Sequence, residues 1–280
     1  MKTLNGKVAA ITGAASGIGR ATALRMAKLG CNLAVSDVDT KGLSETAASC
    51  RQLGVKVTET RVVVSNREAV YAWADATAQE HGKVNVILNN AGVTVGATVE
   101  DVSYSDFEWL MGINFWGVVY GTKAFLPHIK RAGEGAIVNI SSVFGLIAVP
   151  AQSTYNASKF AVKGFTEALR AELEIEGANI GVTCVHPGGI KTNIARSART
   201  TERKGMVSAS STKDFEKAFI TTPDAAAADI IRGILGNRRR VLIGPDAVAI
   251  DLMQRLLPTG YQRLVVEGAK VRRKRMLTKA

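Results

Sequence analysis

Two hydrophobic patterns alternate along the first half of the chain. Short runs rich in β-branched residues predict buried strands at 8–12, 32–36, 56–64 and 84–88. Segments with apolar residues at helical spacing separate these runs, at 18–29, 40–53 and 67–80. This alternation predicts parallel strands joined by right-handed crossovers, with helices on both faces of the sheet.

The second half of the chain continues the alternation with longer helices. Helical patterns cover 105–130, 153–176 and 223–235, and strands are predicted at 136–140, 181–185 and 240–243. No linker rich in proline or serine divides the sequence, and we find no internal repeat. We therefore predict one domain over residues 1–280, a doubly wound α/β Rossmann fold with a parallel sheet of about seven strands.

Two segments depart from this alternation. Residues 193–222 are polar and basic, lack a clean period and follow a Pro-Gly turn, which predicts a lid over a site. Residues 258–280 combine apolar positions with many bases and predict a helical tail. That tail could cover the mouth of the site or contact another subunit, and a membrane-surface contact is the least favoured interpretation.

The net charge of +12 is concentrated in a few places. Residues 196–217, 238–240 and 272–279 together hold eleven of these twelve net charges. Solvated loops and a solvated tail are the favoured interpretation, ahead of attraction to an anionic substrate, a membrane or nucleic acid. The bases lack interleaved aromatic residues and form no recognised motif, so we expect no nucleic-acid partner.

Other classes of protein and site are disfavoured by the sequence. No apolar run is as long as a membrane-spanning helix requires. Cys31, Cys50 and Cys184 lie far apart, which argues against a disulfide framework and favours a cytoplasmic protein. The three histidines have no metal-like spacing, so we expect no metal site.

A glycine-rich loop joins the first strand to the first helix. Gly13, Ser16, Gly17, Ile18 and Gly19 follow Thr12 in the spacing G-x-x-x-G-x-G. Glycines here allow a tight turn and let the backbone approach a pyrophosphate at the positive end of the helix. The spacing differs from the general dinucleotide pattern G-x-G-x-x-G, and an ordinary strand–helix turn remains the alternative.

Asp37 ends the second strand, 18 residues beyond Gly19. A carboxylate at this place can accept hydrogen bonds from the adenosine ribose of NAD, and it would repel the 2′-phosphate of NADP. No base within the glycine loop compensates that repulsion, so we predict NAD, with NADP less favoured. Alternatively Asp37 caps the following helix, a role that Asp39 could fill equally well.

Three motifs together resemble the short-chain dehydrogenase/reductase family over about residues 6–243. They are the glycine loop, Asn-Asn-Ala-Gly at 89–92, and Tyr155 followed four positions later by Lys159. The resemblance implies an NAD(P)-dependent oxidoreductase that interconverts a secondary alcohol and a ketone, with Tyr155 as general acid/base. Residues four apart share a helix face. The ammonium of Lys159 would then lower the phenol pKa by about 1–3 units.

The resemblance also implies roles for other residues. Ser142, rather than Ser141, would orient the substrate oxygen, and Asn114 would help a water chain reach Lys159. Val63 and Val64 stand where the family commonly has an aspartate followed by an apolar residue, so the adenine would rely on the Val64 backbone and on apolar stacking. The implied cofactor-binding set includes Tyr155 and Lys159 as well as Val64, Asn90, Ala91, Gly92, Pro187, Ile190 and Thr192. A dimer or tetramer built on the helices at 105–130 and 153–176 is implied too.

Apolar residues between 143 and 149 favour an apolar substrate for the alcohol dehydrogenase, although such residues also fill ordinary cores.

Two alternatives remain open beside the alcohol dehydrogenase. The second enzyme candidate is an NADPH-dependent reductase of 3-oxoacyl groups on acyl carrier protein or coenzyme A, whose phosphate the basic lid could attract. A dinucleotide-binding sensor without activity is the third candidate. The complete set of Asn114, Ser142, Tyr155 and Lys159 counts against it, because a binding protein needs no such set.

Overall fold

Parallel strands form the centre of the molecule. A computed structural model describes residues 1–192, 199–200 and 220–277 of the protein. Within these residues a seven-stranded parallel sheet has the order β3-β2-β1-β4-β6-β7-β9. Its strands are β1 (Val8–Thr12), β2 (Asn32–Asp37), β3 (Val57–Arg61), β4 (Val86–Asn89), β6 (Gly135–Ile140), β7 (Ile180–Pro187) and β9 (Arg240–Ile243). The predicted fold class, a doubly wound α/β sheet, is confirmed.

Helices cover both faces of this sheet. They are α1 (Gly17–Lys28), α2 (Thr40–Arg51), α3 (Arg67–His81), α4 (Tyr104–Met111), α5 (Gly117–Arg131), α6 (Ser153–Ile175), α7 (Pro223–Leu235), α8 (Pro245–Leu256) and α9 (Tyr261–Leu277). Apolar side chains of α1, α2 and α7 pack in one core cluster, and those of α3, α5 and α6 pack in a second. Burial of the apolar side chains in these two core clusters supplies the main driving force for the layered fold.

Some predicted boundaries are wrong. The third strand ends at Arg61 rather than at residue 64. The predicted helix at 105–130 is interrupted by a π-helical turn, Gly112–Trp116, between α4 and α5. Helix α8 was not predicted, because its exposed face carries apolar residues and its inner face carries acids, opposite to the usual pattern.

Four buried polar side chains form a hydrogen-bond network between two central strands and the helices that cover them. The Asn89 side-chain amide donates to Thr122 Oγ1 at 3.1 Å and to Asn139 Oδ1 at 2.8 Å, and Asn139 donates to Thr166 Oγ1 at 3.0 Å. All four side chains are buried. The network therefore ties β4 and β6 to α5 and α6 at the level where the strands end.

The predicted lid, 193–222, lies outside the described residues except for 199–200 and 220–222. Strand β8 (Arg199–Thr200) pairs in parallel with β5 (Val95–Gly96). The Arg199 guanidinium lies 3.6 Å from the ring centroid of Trp109 and 2.9 Å from Asp106 Oδ1. These contacts fasten this part of the segment to helix α4.

Candidate active site

Ser142, Tyr155 and Lys159 meet at the carboxyl end of β6. Ser142 follows that strand and opens a short 3₁₀ turn, while Tyr155 and Lys159 lie in the first two turns of α6. The Ser142 hydroxyl faces the Tyr155 hydroxyl closely enough to lower the pKa of the phenol. Lys159 Nζ lies 5.4 Å from the Tyr155 ring centroid and donates to the Ile140 carbonyl at 2.9 Å. A hydroxyl, a phenol and an ammonium are thus gathered in one small, largely buried site.

Ser141, the neighbour disfavoured by the sequence, points elsewhere. Its hydroxyl donates to the Lys159 carbonyl at 2.8 Å and is buried. Ser141 therefore stabilises the start of helix α6, and Ser142 is the serine whose hydroxyl contacts Tyr155.

Burial dominates the ionisation of this group. It raises the pKa of Tyr155 to about 12, and the nearby Ser142 hydroxyl opposes that rise only partly. Burial also lowers the pKa of Lys159 to about 8, because the interior disfavours the ammonium. The expected lowering of the phenol pKa beside Lys159 is therefore not what this structure gives: the pKa of Tyr155 is raised, because burial removes the hydration that a phenolate needs.

Asn114 lies in the π-helical turn and is completely buried. Its Oδ1 accepts from the Val93 amide at 2.8 Å, and its Nδ2 donates to the Val93 carbonyl at 2.9 Å and to Ser158 Oγ at 3.3 Å. A Cβ added to Gly92 would lie 3.3 Å from Asn114 Oδ1 and 3.7 Å from Lys159 Nζ. The turn thus brings Asn114 beside the lysine, and its amide secures the loop after β4.

The glycine loop suits a pyrophosphate. Gly13 and Gly17 have positive φ, and a Cβ on Gly19 would lie 2.1 Å from the Gly13 carbonyl oxygen, so this turn requires glycine. Ser16 is the N-cap of α1, yet its side chain caps no amide in the described structure, and the first turn contains no acid. The first N–H groups of α1 are therefore available to an anion.

Asp37 is held directly beside this loop. Its Oδ2 accepts from the Ala15 amide at 2.9 Å, and its Oδ1 accepts from the amides of Val38 and Asp39 at 2.7 and 3.0 Å. The N-cap of α2 is Asp39, whose side chain accepts from Gly42. The alternative role of Asp37 as the helix cap is therefore wrong, and its carboxylate is fixed at the end of β2.

The loop after β4 closes the other side of the glycine loop. The amides of Asn90 and Ala91 donate to Thr12 Oγ1 at 2.9 and 3.0 Å, and Asn90 Nδ2 donates to the Gly13 carbonyl at 3.1 Å. Val64 is buried, and its side chain would lie 2.9 Å from a Cβ on Gly117. Val64 therefore packs against α5 at the place predicted for the adenine.

The loop after β7 returns to the glycine loop. Pro187 ends β7, Ile190 is buried and forms a bridge with Thr221, and the Thr192 amide donates to the Ile190 carbonyl at 2.8 Å. A Cβ on Gly17 would lie 3.2 Å from Thr192 Cγ2. The fold thus brings every predicted site residue to the carboxyl ends of the central strands, the usual ligand-binding edge of such sheets.

Two residues at this edge were missed by sequence reasoning. The Gly189 amide donates to Asp246 Oδ2 at 2.6 Å, so the start of α8 holds the loop after β7. His186 is completely buried, and its Nδ1–H donates to the Ser142 carbonyl at 2.9 Å. His186 directly precedes the Pro-Gly turn, which was the available signal, whereas no sequence pattern links Asp246 to that turn.

Acid is expected to destabilise the protein through His186. Burial lowers the pKa of His186 to about 4 from its ordinary 6.5. Between pH 6.5 and pH 4 this histidine is protonated in the unfolded chain but neutral in the folded chain. The free energy of unfolding therefore falls as the pH drops from 6.5 toward 4. The full contribution is about 3 kcal/mol. Urea unfolding at pH 7 and pH 4.5 tests this, because His186→Gln should lose much less stability between the two; equal losses would contradict the assignment.

Comparison with known proteins places this site in a family. The family model described as short chain dehydrogenase matches residues 7–203, which include the glycine loop, Ser142, Tyr155 and Lys159. The chain belongs to the short-chain dehydrogenase family. The family identified from the sequence motifs is thereby confirmed, and the chain is an oxidoreductase with the family's dinucleotide-binding Rossmann fold.

Relatives in this family resemble the chain over almost its whole length. The protein named "Putative oxidoreductase SadH" from Mycobacterium tuberculosis is 48% identical over 96% of this chain and 97% of its own length. Human estradiol 17-beta-dehydrogenase 11 is 32% identical over 93% of this chain and 82% of its own length. A crystal structure of a short-chain dehydrogenase/reductase from Burkholderia phymatum in complex with NAD is 33% identical, with a TM-score of 0.84. That match covers 92% of this chain and 95% of the other.

Proposed function

We propose that this short-chain dehydrogenase interconverts an apolar secondary alcohol and the corresponding ketone with NAD. The observation that carries the proposal is that the Ser142 and Tyr155 hydroxyls face each other beside the buried Lys159. Such a set can orient one substrate oxygen and exchange its proton. The glycine loop and Asp37 offer a fitting site for the cofactor at the same edge of the sheet.

Each residue of the site is assigned its own role in alcohol oxidation. Ser142 Oγ holds the substrate oxygen beside Tyr155 Oη; in alcohol oxidation the phenolate of Tyr155 takes up the hydroxyl proton and becomes the phenol, and in ketone reduction the phenol returns that proton. The NAD held by the glycine loop and Asp37 would supply the acceptor for the hydride that leaves the substrate carbon. Lys159, whose Nζ lies 5.4 Å from the Tyr155 ring centroid, would bind the nicotinamide ribose, while Asn114 positions the lysine through the loop at Gly92. The binding set we assign comprises Gly13, Ser16, Gly17, Ile18, Gly19, Asp37, Val64, Asn90, Ala91, Gly92, Pro187, Ile190 and Thr192.

Asp37 favours NAD over NADP and so weakens the 3-oxoacyl reductase alternative. Its carboxylate is held by three backbone amides and cannot readily turn away from a 2′-phosphate. Two unit charges about 4 Å apart repel by about 4 kcal/mol at an effective dielectric of about 20, an upper-range figure. Arg20, the nearest base in sequence to the glycine loop, lies 3.5 Å from Glu45 on α2.

Apolar side chains around Tyr155 support an apolar substrate. Tyr155 packs with a buried cluster that includes Val95 and Leu110, joined by the partly buried Val93 and Trp109. The Phe144 ring meets the Tyr155 ring edge-on at 6.2 Å. Val143, Leu146 and Ile147, by contrast, are buried and belong to the interior rather than to an open substrate face. The name of the human relative denotes a dehydrogenase of estradiol, itself an apolar alcohol.

Exposed side chains support a homo-oligomer, as a dimer or tetramer. Trp116 and Phe160 are 48% and 42% exposed and lie on the two long helical segments from which the family resemblance implies assembly. Large exposed aromatic side chains are typical of subunit interfaces. The free, buried thiols of Cys31, Cys50 and Cys184 are consistent with the cytoplasmic location that we propose.

Formation of reduced cofactor tests the proposed function. The protein is mixed with NAD or with NADP and a panel of secondary alcohols of increasing apolar size, each beside a primary alcohol of the same carbon number. We expect turnover of the secondary alcohols with NAD. Turnover with NADP alone, or bound NAD without turnover of any alcohol or of the matching ketones with NADH, would contradict the proposal.

Asp246→Ala is expected to weaken NAD binding. The substitution removes the acceptor that holds the Gly189 amide at 2.6 Å, so the loop bearing Ile190 and Thr192 loses an anchor. A lost hydrogen bond to a charged group costs about 1.5–3 kcal/mol, or about a tenfold to hundredfold rise in the Kd of NAD. Calorimetric titration measures the Kd of NAD for each variant. Asp246→Asn keeps an acceptor oxygen and should bind NAD far better than Asp246→Ala; equal weakening would contradict this positioning role.

A further inference from the structure

Helix α8 presents an apolar stripe to solvent. Val248, Leu252 and Leu256 follow one another at intervals of four residues, and their side chains are 54%, 55% and 70% exposed. The opposite side of the helix is fixed to the protein, because Ala247 is buried and Asp251 is paired with Arg240. The outward direction of the stripe is therefore set by the packing of the helix.

Helix α9 follows α8 in the chain and is almost entirely exposed over residues 261–271. Only Tyr261 and Val265 are shielded among residues 261–271, and Leu264 and Val271 are both more than half exposed. A helix with so little buried surface gains little from packing against its own protein. Leu257, between the two helices, is 45% exposed. The two helices thus expose apolar surface in neighbouring positions along the chain.

The charge of the last segment points to an anionic partner. Residues 258–280 contain seven bases and one acid, Glu267. Arg263 and Lys270 are exposed on α9, and four further bases follow at 272–275. Exposed leucines beside a basic cluster are typical of helices that lie in the interface of a membrane with anionic lipids. No helix in the described parts of the chain is both long and apolar enough to cross a bilayer.

We propose that α8 and α9 form a docking surface for an anionic lipid bilayer. Val248, Leu252, Leu256, Leu257 and Leu264 enter the interface, and the exposed Arg263 and Lys270 lie against the lipid headgroups. This surface is independent of the proposed reaction, since it needs neither Tyr155 nor a bound cofactor.

A lipid surface fits these residues better than other partners. A two-fold contact between copies of the chain would bring the same basic segment of each copy to one interface, where like charges repel. A nucleic acid would satisfy the bases but would leave the exposed leucines in water, and the one aromatic residue of α9, Tyr261, is buried.

The docking surface lies next to the proposed substrate site. The Ala148 amide donates to Tyr261 Oη at 3.3 Å, so the first turn of α9 contacts the loop that follows Ser142. A bilayer bound at α8 and α9 would therefore lie close to this loop of the proposed site.

Sedimentation with lipid vesicles tests the docking surface. The full-length protein is mixed with vesicles of phosphatidylcholine alone or with about a third of phosphatidylserine. Two variants remove the two components of the surface: Leu252→Ser with Leu256→Ser, and Arg272→Gln with Arg273→Gln, Lys274→Gln and Arg275→Gln. Ile175→Ser is the matched control, since Ile175 is 88% exposed at the end of α6.

We expect the native protein and the Ile175 variant to bind the anionic vesicles alone. Each surface variant should bind at least about tenfold more weakly, because apolar insertion and charge attraction add. Unchanged melting temperatures show that the variants are folded. Absence of binding by the native protein, or equal binding by the leucine variant, would overturn the proposal. Sedimentation of the leucine variant as a smaller oligomer, without any vesicle binding by the native protein, would assign the surface to a second copy instead.

Discussion

Tyr155→Phe is expected to lower kcat by about a hundredfold to ten-thousandfold while NAD still binds. That range is typical of removing a general acid or base. The phenol is the group that contacts Ser142, and the substitution removes only its oxygen, so the ring packing against Phe144 remains. The measurement is kcat at saturating alcohol and NAD, together with the Kd of NAD from calorimetric titration.

Tyr71→Phe provides the control for this experiment. Tyr71 is 40% exposed on α3, and removal of its hydroxyl should leave kcat unchanged. Turnover at the native rate by Tyr155→Phe would refute Tyr155 as the general acid/base. Loss of both kcat and NAD binding would instead assign the tyrosine a structural role.

Asp37→Ala is expected to reverse or abolish the proposed preference for NAD over NADP. The carboxylate offers an acceptor to the ribose hydroxyls of NAD and a negative charge against the phosphate of NADP. Its removal should therefore lower kcat/KM with NAD and raise it with NADP, changing their ratio by about a hundredfold, well within the repulsion available at this distance. Initial rates with each cofactor at one alcohol concentration measure the ratio.

Asp39→Ala separates cofactor recognition from local stability. Asp39 caps α2, so its removal should cost about 1 kcal/mol of stability and leave the cofactor ratio unchanged. If both variants changed the ratio equally, the selectivity would come from the shape of this loop. If neither changed it, Asp37 would have no role in discriminating the two cofactors.

Much of the fold and site follows from local patterns because the sheet is parallel. Each strand delivers its carboxyl end to the same edge, so Gly13, Asp37, Asn90, Ser142 and Pro187 come together simply by following their strands. The spacing of Tyr155 and Lys159 works in the same way, since four residues make about one helical turn. Chain order alone was therefore sufficient to place these residues together.

Other features depend on contacts between distant segments. The π-helical turn at Asn114 is stabilised by the Val93 backbone, which no local helical pattern reveals. Asp246 meets Gly189 from 57 positions away. The pKa of Tyr155 depends on how completely the surrounding chain excludes water, so the nearby lysine alone was a poor guide to it.

The return of the C-terminal part to the sheet limits how this enzyme can be divided. Strand β9 pairs with β7, Asp246 holds the Gly189 amide, and Tyr261 meets the loop after Ser142, although all three lie beyond residue 203, where the family match ends. A chimera joined at residue 203 would take the candidate catalytic residues from one relative and the C-terminal contacts that hold the site loops from another. To exchange substrate specificity between relatives, the loops at Gly189 and after Ser142 must therefore be transferred together with helices α8 and α9, which contact them.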